Sequence, residues 1–149
     1  MTRLRRFADI ALRPIATAMN RARKKLRKAR RAPRIGAHAI ALTPEGRVIL
    51  VKLRYAKGWR LPGGGRSGEE TVIEGALREL GEEIGMTSHG PVRPLCDIDP
   101  SLVLVEGVTY APHRWSWEIE QVIEADLDPL PKDMSPRAGR WLRAWRERD

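Results

Sequence analysis

With a single cysteine, Cys96, this 149-residue chain can form neither an internal disulfide framework nor a thiolate-only metal site, and a reducing compartment is its natural setting. No stretch approaches the ~20 consecutive apolar residues that a bilayer-spanning helix needs. Phenylalanine occurs once and tyrosine twice. The three histidines, His38, His89 and His113, are too scattered to make a metal set, and each reads as structural. There are no internal repeats, and outside the first 34 residues there is no low-complexity tract. Apolar residues are 42% and charged residues 32%, which excludes both a membrane protein and a disordered polyampholyte. The length suits one domain that buries roughly two thirds of its unfolded surface.

Acidic residues are nearly absent from one region. Residues 1–34 hold 13 Lys and Arg against one acid, Asp9, a formal charge of +12, whereas residues 35–149 hold 15 basic and 18 acidic residues, a charge of −3. The chain therefore divides into a basic arm, 1–34, and a slightly acidic domain, 35–149. In the arm Leu4, Phe7, Ala8, Ala11, Leu12, Ile15, Ala18 and Met19 follow the period of one helix face, interrupted at Pro14. Asp9 breaks the only candidate signal-peptide core, and the lack of serine is atypical of a transit peptide. Three readings of this basic helical arm stand: a solvated helix, an anchor on an anionic membrane surface, or an RNA-binding arm.

The domain opens with an apolar segment, Ile35–Leu42, then turn chemistry in Thr43-Pro44-Glu45-Gly46, then a returning strand, Arg47–Leu53. Trp59-Arg60-Leu61-Pro62-Gly63-Gly64-Gly65 reads as a loop that allows close backbone approach. Thr71 and Glu74 have the spacing of a capping box, so a helix starts after Thr71, buries Val72, Ile73, Ala76, Leu77, Leu80 and Ile84, and stops at Gly85. Val92–Asp97, Leu102–Tyr110 and His113–Ala125 are expected strands, and Cys96 is expected to be a small core residue. The last strand alternates around Trp115 and Trp117, of which one is expected to face the core and the other the surface or a pocket. Ser135-Pro136 starts a closing helix whose apolar face is Ala138, Trp141, Leu142 and Trp145.

Within the first helix, Glu79, Glu82 and Glu83 stand at i, i+3 and i+4, on one side. Three like charges beside an apolar stripe are destabilising unless something positive lies between them, and a hard divalent cation with open water positions, magnesium or manganese, meets that need. Arg78 can hold one carboxylate in place, and Glu70, just before the helix, can hold Arg78. Such a trio alone is more often a solvated face; the glycine loop in front of it changes the reading.

Gly64, five residues, Glu70, seven residues, then Arg78-Glu79-Leu80-Gly81-Glu82-Glu83-Ile84-Gly85-Met86 resembles the complete Nudix box, with Leu61-Pro62-Gly63-Gly64 as its usual lead-in. The one departure is Gly68, a residue earlier than usual. The resemblance implies an α/β fold, a Nudix-type α/β/α sandwich with a mixed central sheet. It also implies a cytoplasmic pyrophosphohydrolase, in which metal-activated water attacks a phosphoanhydride phosphorus of a nucleoside diphosphate linked to another moiety. Carried over by position, Glu79, Glu82, Glu83 and the Gly63 carbonyl resemble the metal ligands, Glu83 being the least expendable. Arg78 and Glu70 resemble the supporting pair, and Gly63, Gly64 and Gly65 the loop beside the phosphates.

The general base varies in that family, and Glu118, Glu120 and Glu106 are the candidates here. Trp59 has two roles open to it, stacking on a nucleobase or packing against the sheet. An alternative of another class is a nucleotide- or RNA-binding module with little hydrolysis, the arm supplying affinity for nucleic acid or for the inner face of a membrane.

Overall fold

The structure is a computed structural model that describes residues 35–149. The basic arm, with the readings placed on it, lies outside the described residues. In chain order the elements are β1 (Gly36–Ala41), β2 (Val48–Leu53), β3 (Trp59–Arg60), β4 (Gly63–Gly65), α1 (Val72–Ile84), β5 (Met86–Ser88), β6 (Val92–Pro94), β7 (Leu102–Val105), β8 (Thr109–Tyr110), β9 (Ile119–Ala125) and α2 (Pro136–Arg146). A mixed sheet runs β4-β1-β7-β6, a second sheet β3-β2-β9, and β5 pairs with β8. Among the described residues no helix is long and apolar enough to cross a membrane.

Strand alternation explains the layers. In β1, Ala37, Ala39 and Ala41 face the cluster under α1, which includes Ala76, Leu80 and Ile84. Ile40 and Leu42 face the cluster under α2, which includes Ala138, Trp141, Leu142 and Trp145. β2 divides in the same way, Ile49 and Val51 to one side, Val48 and Leu50 to the other. Both strands are buried on both faces, so the sheets form a middle layer with a helix on each side, the expected sandwich. The alanines let α1 come close: a Cβ on Gly75 would stand 2.9 Å from that of Ala37.

Helix α1 begins as the capping box requires. Glu74 N donates to Thr71 Oγ1 at 3.1 Å, and Thr71 N donates to Glu74 Oε2 at 2.8 Å. It ends at Gly85 in the left-handed conformation, φ 69°. Ser135 caps α2, with proline at its start.

Five expectations are corrected. Residues 59–65 are not one loop: Trp59–Arg60 pairs with β2 and Gly63–Gly65 with β1, so the glycines expected in a loop form a strand. β1 and β2 do not form a hairpin ladder: after the turn they meet only at Leu42 and Val48, then enter different sheets. Each is a central strand with two other partners, and those pairings outweigh the local one. Residues 102–110 are two strands broken at Glu106–Val108, with Gly107 at φ 61°. The last strand starts at Ile119 rather than His113, so Trp115 and Trp117 lie in the preceding loop and both are exposed, 42% and 45%. Finally, β6 ends at Pro94, where the chain turns back through hydrogen bonds to the Leu95 carbonyl, and Cys96 is exposed in that turn.

The αL cap predicts a measurable cost. A Cβ on Gly85 would meet both the unfavourable φ and the Ala111 carbonyl oxygen, whose neighbour Ala111 N bonds the Gly85 carbonyl at 3.0 Å. Gly85→Ala is expected to lose about 2 kcal/mol or more in urea unfolding, above the ~1 kcal/mol of the backbone term alone. A loss under about 0.5 kcal/mol would show that the cap is not held as described.

Candidate active site

The three glycines of β4 pair antiparallel with Gly36–His38 of β1 and face α1. Their lack of side chains is a steric requirement at two positions. A Cβ on Gly64 would stand 2.7 Å from Glu79 Oε1, and one on Gly63, at φ 153°, would collide with β1. Into that space α1 delivers two acidic side chains. Glu79 and Glu83 are 8% and 6% exposed, and Gly63 N donates to Glu83 Oε2 at 3.1 Å. The buried stripe of α1 therefore runs through Gly75, Ala76, Glu79, Leu80, Glu83 and Ile84, while Val72, Ile73 and Leu77 are only partly covered.

Electrostatics follow from this burial. Desolvation pushes the Glu83 carboxyl well above the usual range, the charge of Glu79 adds to the push, and the Gly63 N–H opposes it. Glu79 is raised as well, first by desolvation, with the neighbouring Arg78 charge pulling the other way. Glu82 stands on the rim, its side chain 60% exposed and 3.3 Å from Arg78.

Arg78 ties the rim together. Its Nε donates to Glu70 Oε1 at 2.7 Å and its Nη2 to Glu70 Oε2 at 3.1 Å, a bidentate fork. Nη1 reaches Glu79 Oε1 at 3.2 Å and Glu82 at 3.3 Å, and Nη2 also bonds the Gly65 carbonyl. Glu70 accepts a further bond from Ser67 N, and the Arg78 hydrogen bond holds its carboxyl below the usual range.

Among the described residues no three His, Cys, Asp or Glu side chains already converge as a cation cage. The inner pair, Glu79 and Glu83, nonetheless fits a hard divalent cation in donor chemistry. Burial raises the proton affinity of both carboxylates and the charge of Glu79 raises that of Glu83 further, costs that an oxygen-binding cation held by them would relieve.

The base candidates separate. Glu118 lies close enough to Glu83 for its charge to act on that carboxyl. Glu120 is the extra residue of a bulge, because Lys52 pairs with Gln121 and Leu53 with Ile119. Glu106 is exposed beyond Val105, at the opposite end of β1 from Gly63. Trp59 is half-buried against the core cluster under α2.

A cavity of about 410 Å³ opens from Glu83 and Gly63 and runs between β2, β3 and the start of α2. Its wall includes four residues that motif reasoning passed over or set aside: His38, Arg60, Arg137 and Arg140. His38 packs on Trp141 with ring centroids 5.2 Å apart, and burial, aided by the charge of Arg137, lowers its pKa to about 4. Alternation already put His38 on the Ile40 face, and Arg137 and Arg140 stand one turn apart at the start of α2. No sequence signal joins those elements around one space.

The Glu70–Arg78 fork makes a pH-dependent prediction. A carboxyl depressed in the folded state stabilises above its unfolded pKa of about 4.5 and loses that contribution as pH falls through the lower folded value. Glu70→Gln should therefore be less stable than the native chain at pH 7, and the difference should shrink below the carboxylate range. Urea unfolding at the two pH values checks this; a deficit independent of pH would contradict the charged fork.

Comparison with known proteins bears on this geometry. The NUDIX domain family model matches residues 32–144. The fold is similar to that of a MutT NUDIX hydrolase from Burkholderia pseudomallei, with 25% identity over 75% of this chain and 97% of that one, at a TM-score of 0.56. It is also similar to a UDP-X diphosphatase, with 17% identity over 79% of this chain and 65% of that one, TM-score 0.55. An ADP-ribose pyrophosphatase from Streptococcus suis shares 20% identity over 77% and 93% of the two chains, TM-score 0.52. No curated protein is matched by sequence. Since the family match begins before β1 and runs into the last turn of α2, it takes in every element of the sandwich, and the chain belongs to the NUDIX domain family.

Proposed function

We propose that this chain hydrolyses a phosphoanhydride bond in a nucleoside diphosphate joined to a further moiety, in a reaction that depends on magnesium or manganese. The observation that carries this reading is the buried pair Glu79 and Glu83 packed against side-chain-free β4, a placement with no benefit to stability and a clear one for holding a cation. The substrate class is supported by two fold relatives described as a UDP-X diphosphatase and an ADP-ribose pyrophosphatase.

Glu79, Glu82, Glu83 and the Gly63 carbonyl are the groups that would hold the cation. When bound, it supplies neutralisation of phosphate charge and makes water a stronger nucleophile near neutral pH. The chain's own residues do the rest. Glu70 fixes the Arg78 guanidinium, and Arg78 fixes the buried carboxylate of Glu79 and the rim carboxylate of Glu82. The Gly63 N–H holds Glu83 in place. Glu118, whose charge acts on Glu83, takes a proton from the attacking water. Attack at phosphorus forms one P–O bond and breaks the anhydride P–O bond, releasing two phosphate-bearing products. Such positioned proton transfer is typically worth about 10²–10⁴-fold in rate.

Glu83→Gln is expected to lower turnover on the order of 10²-fold or more while the far-UV spectrum stays native. Its stability without metal should rise slightly at pH 7, because an acid whose pKa is raised on folding costs stability as pH climbs above the unfolded value. Near-normal turnover in that folded variant, assayed on ADP-ribose, dinucleoside polyphosphates and nucleoside triphosphates, would remove Glu83 from the reaction. Chelation should abolish activity and added magnesium restore it. Glu118→Gln should reduce kcat with little change in KM, and Glu120→Gln should do less; equal losses would leave Glu118 without its assigned role.

A further inference from the structure

The cavity beside Glu83 is strongly biased in charge. Arg60, Arg137 and Arg140 line it, and among the described residues none of the three forms an ion pair with a carboxylate. Carboxylates near this region are Glu83 at the inner end, with Glu118 close enough for its charge to act on it, and Asp99, which lies near Arg137 and His38 and is held by Ser101. Two buried polar atoms of wall residues, Arg60 Nε and His38 Nδ1, have no hydrogen-bond partner. Arg60 Nε is a donor that no protein group satisfies, a cost of about 1–3 kcal/mol that water or a ligand with acceptor oxygens would offset. Arg137 also lies over the Trp141 ring, 5.6 Å from its centroid, which restricts where its guanidinium can go.

Guanidinium groups unpaired within the protein, arranged round one opening, match a phosphate better than a neutral sugar or base, because their planar forks bond two oxygens at once. The opening is continuous with Gly63 and Glu83, where the scissile linkage is placed by the function proposed above. We propose that the cavity binds a further phosphate group of the substrate, beyond the linkage that is cut, and that Arg60, Arg137 and Arg140 select for substrates carrying one. This inference rests on that functional reading for its orientation, but the affinity for phosphate can be tested without it.

The test uses the full chain without metal, titrated with inorganic pyrophosphate and followed by the NMR signal of the His38 imidazole, assigned with His38→Gln. A residue-specific signal is needed because residues 1–34, with a charge of +12, attract polyanions by themselves. Pyrophosphate should shift the His38 signal, and the Arg60→Ala/Arg137→Ala double variant should weaken that titration about tenfold or more. Arg140→Ala and Arg137→Lys, changes at exposed positions, guard against loss of folding in the double variant. An unmoved His38 signal, or folded variants that titrate like the native chain, would overturn the proposal.

A kinetic arm compares ATP with ADP-ribose in magnesium. Arg137→Ala should reduce kcat/KM for ATP about tenfold, mainly through KM, and that for ADP-ribose less than about twofold. Equal reductions on both would overturn the selection for phosphate. Should the native chain cleave neither while His38 still responds to pyrophosphate, the hydrolase reading falls and the phosphate site stands.

Discussion

Two carboxylates buried side by side set the terms for the rest of this domain. Glu79 and Glu83 occupy the face of α1 that would otherwise be apolar, and their burial costs stability until something positive joins them. Every neighbouring feature accommodates that cost. β4 carries no side chains, so its backbone can come within reach of both carboxylates and offer the Gly63 N–H to one of them. β1 presents alanines to the helix, and Gly75 meets Ala37, so the helix sits low enough for short contacts. The capping box and the αL stop at Gly85 fix the register of the thirteen residues between them.

Arg78 resolves the opposite problem at the rim. Glu70, Glu79 and Glu82 would repel one another, yet one guanidinium bonds all three and also a β4 carbonyl. Glu70 is stabilised as an anion by the same fork that restrains Arg78, and the restraint limits the rotational freedom of the Glu79 and Glu82 carboxylates. Neighbouring glutamates thus divide into a depressed carboxyl that acts as an anchor and raised ones that are available to a cation.

How much of this was legible in the sequence depends on whether the determinant was local. The box helix, its cap, its stop, the closing helix and its four buried residues could be read because capping chemistry and 3.6-residue periodicity act within a dozen residues. The carboxylate positions and the Glu70–Arg78 partnership were fixed by spacing in the same way. The pairing of β1 and β2 was not, since turn residues report that the chain reverses and say nothing of which edges will be taken by β4, β7, β3 and β9. The bulge at Glu120 left a trace: Ile119 and Val122 both pack under α1, which strict alternation forbids. Cys96 and the two exposed tryptophans lie outside strands because Pro94 ends β6 before the cysteine and β9 begins only at Ile119, although the apolar composition continues through both segments.

The failure of β1 and β2 to stay together bears most directly on function. They touch at Leu42 and Val48 and diverge toward His38 and Leu53, and both of those distal residues line the cavity. A tight hairpin ladder would bring the two strand ends together and leave no room between them. Separation into two sheets instead leaves a seam, with the buried carboxylate of Glu83 on one side and the first turn of α2 on the other. The box helix packs on β1 and β4, which belong to one sheet on one side of the seam, so its support does not cross the gap. Arg60 and Arg137 stand on β3 and α2, apart from the helix and sheet that hold Glu79 and Glu83, so on the proposed function the reacting groups rest on one sheet and the selecting groups line the gap between two.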